Sequence, residues 1–295
     1  MKKEHRLLLG AHLSIADGFD DSIQQAMSLG CTTLQIFTKS NRQWHAKALE
    51  ATEVKAFLAA QKQSSIAPVV AHASYLINIG SADQALRSKS IDALLLELER
   101  CSALSIAYLV LHPGSHTKTD EMLCLAIVAD SINQVLARYT GNTMLLLESM
   151  AGQGSTICYT LEQLASILKK LTNKKRVGIC IDTCHVFAAG YDISNFEGYQ
   201  AFWQAYDNIL GIDTLKAIHL NDSKKPCGSR VDRHEHIGQG MLGKETFKLI
   251  MNDSRFFDVP KILETPLDDR GDFASNLKTL KGLLSKETKT ALNCS

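Results

Sequence analysis

MLLLESM, residues 144–150, is an apolar run of strand length that stops on a carboxylate, Glu148. Such a run, bounded by polar residues, suits a strand buried on both faces. The figure recurs outward in both directions: YLVLHPG (108–114) ends on His112, GICIDTCH (178–185) on Asp182 and His185, and KILETP (261–266) on Glu264. With the weaker runs included, eight strands are expected at 7–14, 33–38, 68–73, 108–113, 144–148, 177–182, 215–221 and 261–265. Helical periodicity fills the intervals at 19–29, 52–63, 83–103, 121–139, 161–171, 196–209, 244–251 and 272–284.

Eight alternations of strand and helix, spaced roughly 25–45 residues apart, predict an α/β chain folded as a single-domain (β/α)8 TIM barrel. No linker or low-complexity stretch divides it, so residues 1–295 are expected to form one domain. A doubly wound open sheet would place GxGxxG after an early strand, and GAHLSIADGF (10–19) does not match.

The chain has 45% hydrophobic and 21% charged residues and only five prolines, the composition of an ordered globular protein. Its longest apolar runs fall well below the ~20 residues needed to span a bilayer, so no membrane association is expected. MKKEHRLLLG at the N-terminus is basic but lacks a signal-peptide cleavage pattern, which predicts a cytoplasmic protein. Eight cysteines, at 31, 101, 124, 158, 180, 184, 227 and 294, contain no CxxC pair and read as buried thiols in a reducing compartment. Cys180 and Cys184 flank Asp182 and are taken as part of that set rather than as zinc ligands. A net charge of +1 argues against a general basic patch, although bound divalent ions would shift that balance.

Active sites of such barrels form at the C-terminal ends of several strands together. Those ends carry His12, His72, His112, Glu148, Asp182, His185, His219 and Glu264, and SRVDRHEHIGQG (229–240) adds Asp232 and His234. Carboxylates inside apolar strands are costly without a nearby cation. No lysine or arginine takes a matching strand-end position, so a metal is the expected counter-charge. Imidazoles mixed with carboxylates suit Zn2+ or Mn2+ better than Ca2+ or Mg2+. Five histidines and four carboxylates, leaving His12 aside, exceed the needs of one four-coordinate ion. A cluster of two or three ions follows, an arrangement that suits in-line displacement at phosphorus. His5, His45, His116 and His236 are read as surface or supporting histidines.

The motifs GAHLS (10–14), FTKSNRQW (37–44), HASYLINIG (72–80), LHPGSH (111–116), LESMAGQGS (147–155), GICIDTCHVFAAGYD (178–192), HLNDSK (219–224), GSRVDRHEHIGQG (228–240) and ILETP (262–266) run in order along nearly the whole chain. Together they resemble the endonuclease IV family of apurinic/apyrimidinic endonucleases. The resemblance implies three zinc ions, with Mn2+ as an alternative occupant of one site. Carried over residue by residue, His72, His112 and Glu148 hold the first ion. Glu148 bridges to a second, completed by Asp182, His219 and Glu264, and His185, Asp232 and His234 hold the third. Glu148 and Glu264 are the catalytic carboxylates of this set.

The implied reaction is hydrolysis of the phosphodiester 5′ to an abasic site in double-stranded DNA during base excision repair, leaving a 3′-hydroxyl and a 5′-deoxyribose phosphate, with 3′-phosphodiesterase activity besides. The resemblance implies Arg42, Tyr75 and Leu76 as residues that enter the duplex. From their own chemistry, Gln43 beside Arg42 is read as a further DNA contact, and Arg233 between two candidate ligands and the glycines of AGQGS (151–155) as phosphate contacts; a monomer is expected. Ser149, Met150 and Ala73 depart from residues frequent in bacterial relatives and put the hydrogen bonding behind the ligands in doubt. Two rivals remain: a metal-dependent sugar isomerase or epimerase on the same barrel, which should need one or two ions rather than three, and a zinc-stapled binding protein, whose sites should be closed by four protein ligands.

Overall fold

The computed structural model describes residues 5–293; Cys294 and the start of the basic N-terminus lie outside them. Eight strands, β1 (Leu9–Leu13), β2 (Leu34–Phe37), β3 (Val69–His72), β4 (Tyr108–Leu111), β5 (Met144–Glu148), β6 (Val177–Asp182), β7 (Leu215–His219) and β10 (Lys261–Leu263), pair in parallel. They close in the order β1-β10-β7-β6-β5-β4-β3-β2, the (β/α)8 barrel that the alternation predicts. Between them, β8 (Asp222–Ser223) and β9 (His234–Glu235) form a separate antiparallel pair that turns residues 224–233 back over the barrel mouth.

The helices are α1 (Phe19–Ser28), α2 (Ala51–Gln63), α3 (Gln84–Ala103), α4 (Glu121–Arg138), α5 (Leu161–Lys170), α6 (Thr183–Ala189), α7 (Phe196–Leu210), α8 (Gly243–Asn252), α9 (Phe273–Gly282) and α10 (Lys286–Ala291). Their starts follow from local chemistry: the side chains of Asp83, Asp120, Thr160 and Asn195 each accept a backbone N–H of the first turn. The sequence reading lacks α6 and α10. No helix among the described residues is long and apolar enough to cross a membrane.

Because side chains alternate along a strand, every second residue faces the barrel axis. Val70, Val110, Leu146, Cys180 and Ala217 pack there as an apolar floor, distinct from the core between strands and helices. Two residues further along each of those strands stand His72, His112, Glu148, Asp182 and His219. One period above the floor, then, the barrel interior becomes polar.

Six of the described cysteines are buried as expected; Cys227 is exposed, a correction to the reading of all eight as buried thiols. It lies in the polar turn between β8 and β9, where no apolar segment exists to enclose it.

Candidate metal centre

Strand register brings the candidate ligands of distant sequence together. His72, His112 and Glu148 place one donor atom each within 4.8 Å of one another; so do Glu148, Asp182, His219 and Glu264, and so do His185, Asp232 and His234. Glu148 belongs to two of these groups. Its Oε2 lies 3.2 Å from both His72 Nε2 and His112 Nε2, while its Oε1 lies 3.2 Å from His219 Nδ1. A fourth overlapping group, Asp182, Cys184 and His234, brings in one of the thiols set aside on sequence. Burial pushes that thiol up to about 12, which keeps it protonated and a poor ligand.

His185 reaches the cluster from α6, which begins where β6 ends because the Asp182 carboxylate accepts the His185 N–H at 2.9 Å. The β8–β9 pair delivers His234 and, two residues before it, Asp232, whose N–H is held by the Gln153 side chain at 2.8 Å. AGQGS thus steadies the loop that carries a candidate ligand. Gly152 and Gly154 both take left-handed backbone there, at φ 74° and 62°.

Four imidazoles are oriented by fixed acceptors. His72 Nδ1–H donates to Ala73 O (2.7 Å), His185 Nδ1–H to Ser149 O (2.8 Å) and His234 Nδ1–H to Glu264 O (3.0 Å), so Nε2 of each faces the carboxylates. His219 is turned the other way: Nε2–H donates to Gln35 Oε1 (2.9 Å), leaving Nδ1 toward Glu148 and Glu264. Acceptors of this kind behind an imidazole set its tautomer for metal binding. Two of them are backbone carbonyls of Ala73 and Ser149, so these departures from the family pattern leave the supporting hydrogen bonds in place.

Gln35 and Asn221 escaped the sequence reading. Gln35 Nε2 donates to Glu264 Oε1 (2.6 Å), and Asn221 Nδ2 donates to Asp182 Oδ2 (2.6 Å) while its Oδ1 accepts Glu264 N–H. His12, excluded as a ligand, also lies 3.0 Å from Glu264 Oε1. The available signal was burial itself: an amide inside LQIF must find partners.

The electrostatics show what the cluster lacks. Among the described residues, Glu148, Asp182, Asp232 and Glu264 form ion pairs with histidines alone, never with lysine or arginine. Burial works to raise the Glu148 carboxyl, but the imidazoles of His219 and His112 outweigh it and hold the group well below the usual carboxylate range. Burial likewise opposes charge on His234, and Asp182 and Asp232 overcome it, raising the ring to about 9. His185 is driven up in the same way by Asp182 and Asp232, and His219 by Cys180, Glu264 and Glu148. Positive charge must therefore sit between these donors, as protons or as a metal in their place.

Geometry fits the metal. Donors bound tetrahedrally at zinc distances lie about 3.3–3.6 Å apart. Observed separations include 3.3 Å for His219 Nδ1–Glu264 Oε2, 3.3 Å for His234 Nε2–Asp232 Oδ1 and 3.1 Å for His185 Nε2–Asp232 Oδ2. His185 Nε2 and His234 Nε2 are buried and approach the Asp232 carboxylate without a well-directed hydrogen bond to it, an arrangement that a shared cation would satisfy.

Beside the cluster opens a cavity of about 510 Å3 lined in part by His12, Phe37, Tyr75, His234, Glu264 and Phe273. Tyr75, 54% exposed, holds its ring 5.2 Å from His72 and 5.3 Å from His112 at the rim. Leu76 beside it is half-buried, whereas Arg42, Gln43 and Arg233 are exposed. These five are not gathered into one cluster; they sit on three loops around the mouth, after β2, after β3 and between β8 and β9.

A family model described as xylose isomerase-like TIM barrel matches residues 23–284. The probable endonuclease 4 of Chloroflexus aurantiacus is 49% identical over 277 residues, covering 93% of this chain and 97% of the relative. The chain belongs to the endonuclease IV family. A solved endonuclease IV from Thermus thermophilus shares its fold at TM-score 0.83 and 36% identity, over 93% of this chain and 98% of that one. Likeness extends to a 3-keto-D-glucoside 4-epimerase of E. coli, at TM-score 0.67 but 17% identity over 94% and 100% of the two chains, and there it concerns the barrel alone. Family membership accounts for the motif order that runs from GAHLS to ILETP.

Proposed function

We propose that this member of the endonuclease IV family hydrolyses the phosphodiester 5′ to abasic sites in double-stranded DNA, leaving a 3′-hydroxyl and a 5′-deoxyribose phosphate, with the same hydrolysis at damaged 3′ ends as a secondary activity. The observation that carries the mechanism is the sharing of Glu148 between two donor groups, each oxygen faced by different imidazoles. His72, His112 and Glu148 would hold one ion, Glu148, Asp182, His219 and Glu264 a second, and His185, Asp232 and His234 a third. Zinc suits this mixed nitrogen and oxygen set, with Mn2+ as an alternative at one position. When bound, such ions supply a water acidic enough to attack at neutral pH and positive charge for the phosphate oxygens.

The chain's own part is arrangement. Gln35 and His12 fix the Glu264 carboxylate, Asn221 fixes Asp182, and the apolar floor below excludes water from beneath. Among the described residues, two of the three groups offer three protein donors each, which would leave a position for water or phosphate, unlike closed structural sites. Tyr75, which lines the cavity, and Leu76, which follows it in sequence, would serve as a wedge, and Arg42, Gln43 and Arg233 would supply donors to the DNA backbone around it. The protein would act as a monomer in the cytoplasm, where its reduced thiols are at home.

A duplex oligonucleotide carrying one abasic site tests the proposal. After reconstitution with zinc, the 5′-labelled product should co-migrate with a 3′-hydroxyl marker. Absence of incision, or a 3′-unsaturated aldehyde end from β-elimination, would contradict hydrolysis.

A further inference from the structure

Helix α3 lies outside the barrel, yet it carries buried charges that the metal centre does not use. Glu97 is 1% exposed and Arg100 8% exposed, and both face the loops that follow β2 and β3. Glu97 Oε1 accepts the Ser74 N–H at 3.2 Å and pairs with Lys39 Nζ, itself buried, at 3.4 Å. Lys39 Nζ donates to Gln43 O at 2.7 Å, and Ser74 Oγ donates to Asn41 O at 2.8 Å. The carbonyls on either side of Arg42 are therefore held by two groups that both bond to Glu97. One of these, Ser74, is followed directly by Tyr75.

The same helix face grips the β2 loop elsewhere. Arg100 donates through Nε to Thr38 O (2.9 Å) and through Nη1 to Lys47 O (2.7 Å), closing the loop at both ends. Lys89, two turns before Glu97, stacks its ammonium 4.4 Å from the centre of the Trp44 ring. A buried ion pair contributes little net stability compared with apolar residues of similar volume, so the cost of enclosing Glu97 and Lys39 needs another justification, and holding two loops in one register supplies it.

We propose that Glu97 is a positioning residue that locks the loops after β2 and β3 together, so that Arg42 and Tyr75 are presented to the duplex as one preformed unit. The inference rests on the proposed function for its substrate. It predicts a defect in duplex binding without a defect in bond hydrolysis, because misplacement of about 1 Å in a binding group costs up to ~100-fold.

Glu97→Gln keeps an acceptor for Ser74 but loses the charge that holds Lys39; the double variant Lys39→Met/Glu97→Met removes both charges and preserves the fold if the single variant does not. In zinc-loaded protein at a temperature where each variant is fully folded, KM for the abasic duplex should rise about 10–100-fold. The kcat, and hydrolysis of bis(4-nitrophenyl) phosphate, should stay unchanged. Amide hydrogen exchange should quicken in residues 40–45 and 74–77 together. Exchange that is unchanged in either loop, or small-diester hydrolysis that falls in step with duplex cleavage, would overturn the inference. The exchange readout does not require abasic incision by the wild-type protein, so failure of the proposed function is recognised separately.

Discussion

Glu148 is buried between two sets of imidazoles, and among the described residues no lysine or arginine neutralises it. Glu148→Gln keeps the shape and one oxygen but removes the charge that both sets share. It should lower incision by more than about 100-fold, beyond the usual effect of losing a supporting hydrogen bond, while cooperative thermal unfolding persists; near wild-type activity would refute the shared role. Asn221→Ala removes the donor to Asp182 Oδ2 and the acceptor for Glu264 N–H. Metal affinity should fall by roughly 10–100-fold in competition with a chelator, and an unchanged affinity would show that Asn221 is incidental. Carboxylates were legible in the sequence because an ionised group inside an apolar strand has few inexpensive explanations. Gln35 in β2 and Asn221 just past the end of β7 were not, because a neutral amide finds many ordinary partners and does not demand a metal.

Strands were legible because a parallel strand covered on both faces is a short continuous apolar run. Their ends were less so: β1 spans Leu9–Leu13 within the expected 7–14, since extended chain continues past its last ladder hydrogen bond. α6 was hidden because DTCHVFAA continues the apolar run of β6, although Asp182 as N-cap and Gly190 in left-handed conformation mark its two ends. Without that helix His185 would not turn back toward Asp232.

At its other end, the barrel buries Lys261, whose Nζ donates to Phe256 O and Val259 O. Burial lowers its ammonium from 10.5 to about 7. Between those values the unfolded chain keeps a proton that the folded chain has lost, so stability of the wild type rises with pH across that window, and the full cost of the buried charge is felt below about 7. Urea unfolding of Lys261→Met against wild type should therefore favour the variant more at about pH 6.5 than at about pH 9.5. A difference independent of pH would mean that Lys261 keeps its charge when buried.

Across the whole molecule the barrel divides its interior into an apolar floor and a polar layer one strand period above it. The floor is what any closed eight-stranded barrel needs; the layer above is where chemistry replaces packing. Fold class and the gathering of candidate donors at the strand ends were readable at this scale because both follow from the same alternation. How the loops are tied across the mouth was not, since Glu97, Lys39 and Ser74 stand far apart in sequence and meet only through β2, β3 and α3. The central claim is that three donor groups act as one metal cluster on a phosphodiester. Metal-free protein titrated with zinc while abasic-site incision is followed tests it most directly: activity should rise to a plateau at about three equivalents per chain, as three adjoining groups of three or four donors require, whereas a plateau at one equivalent would contradict it.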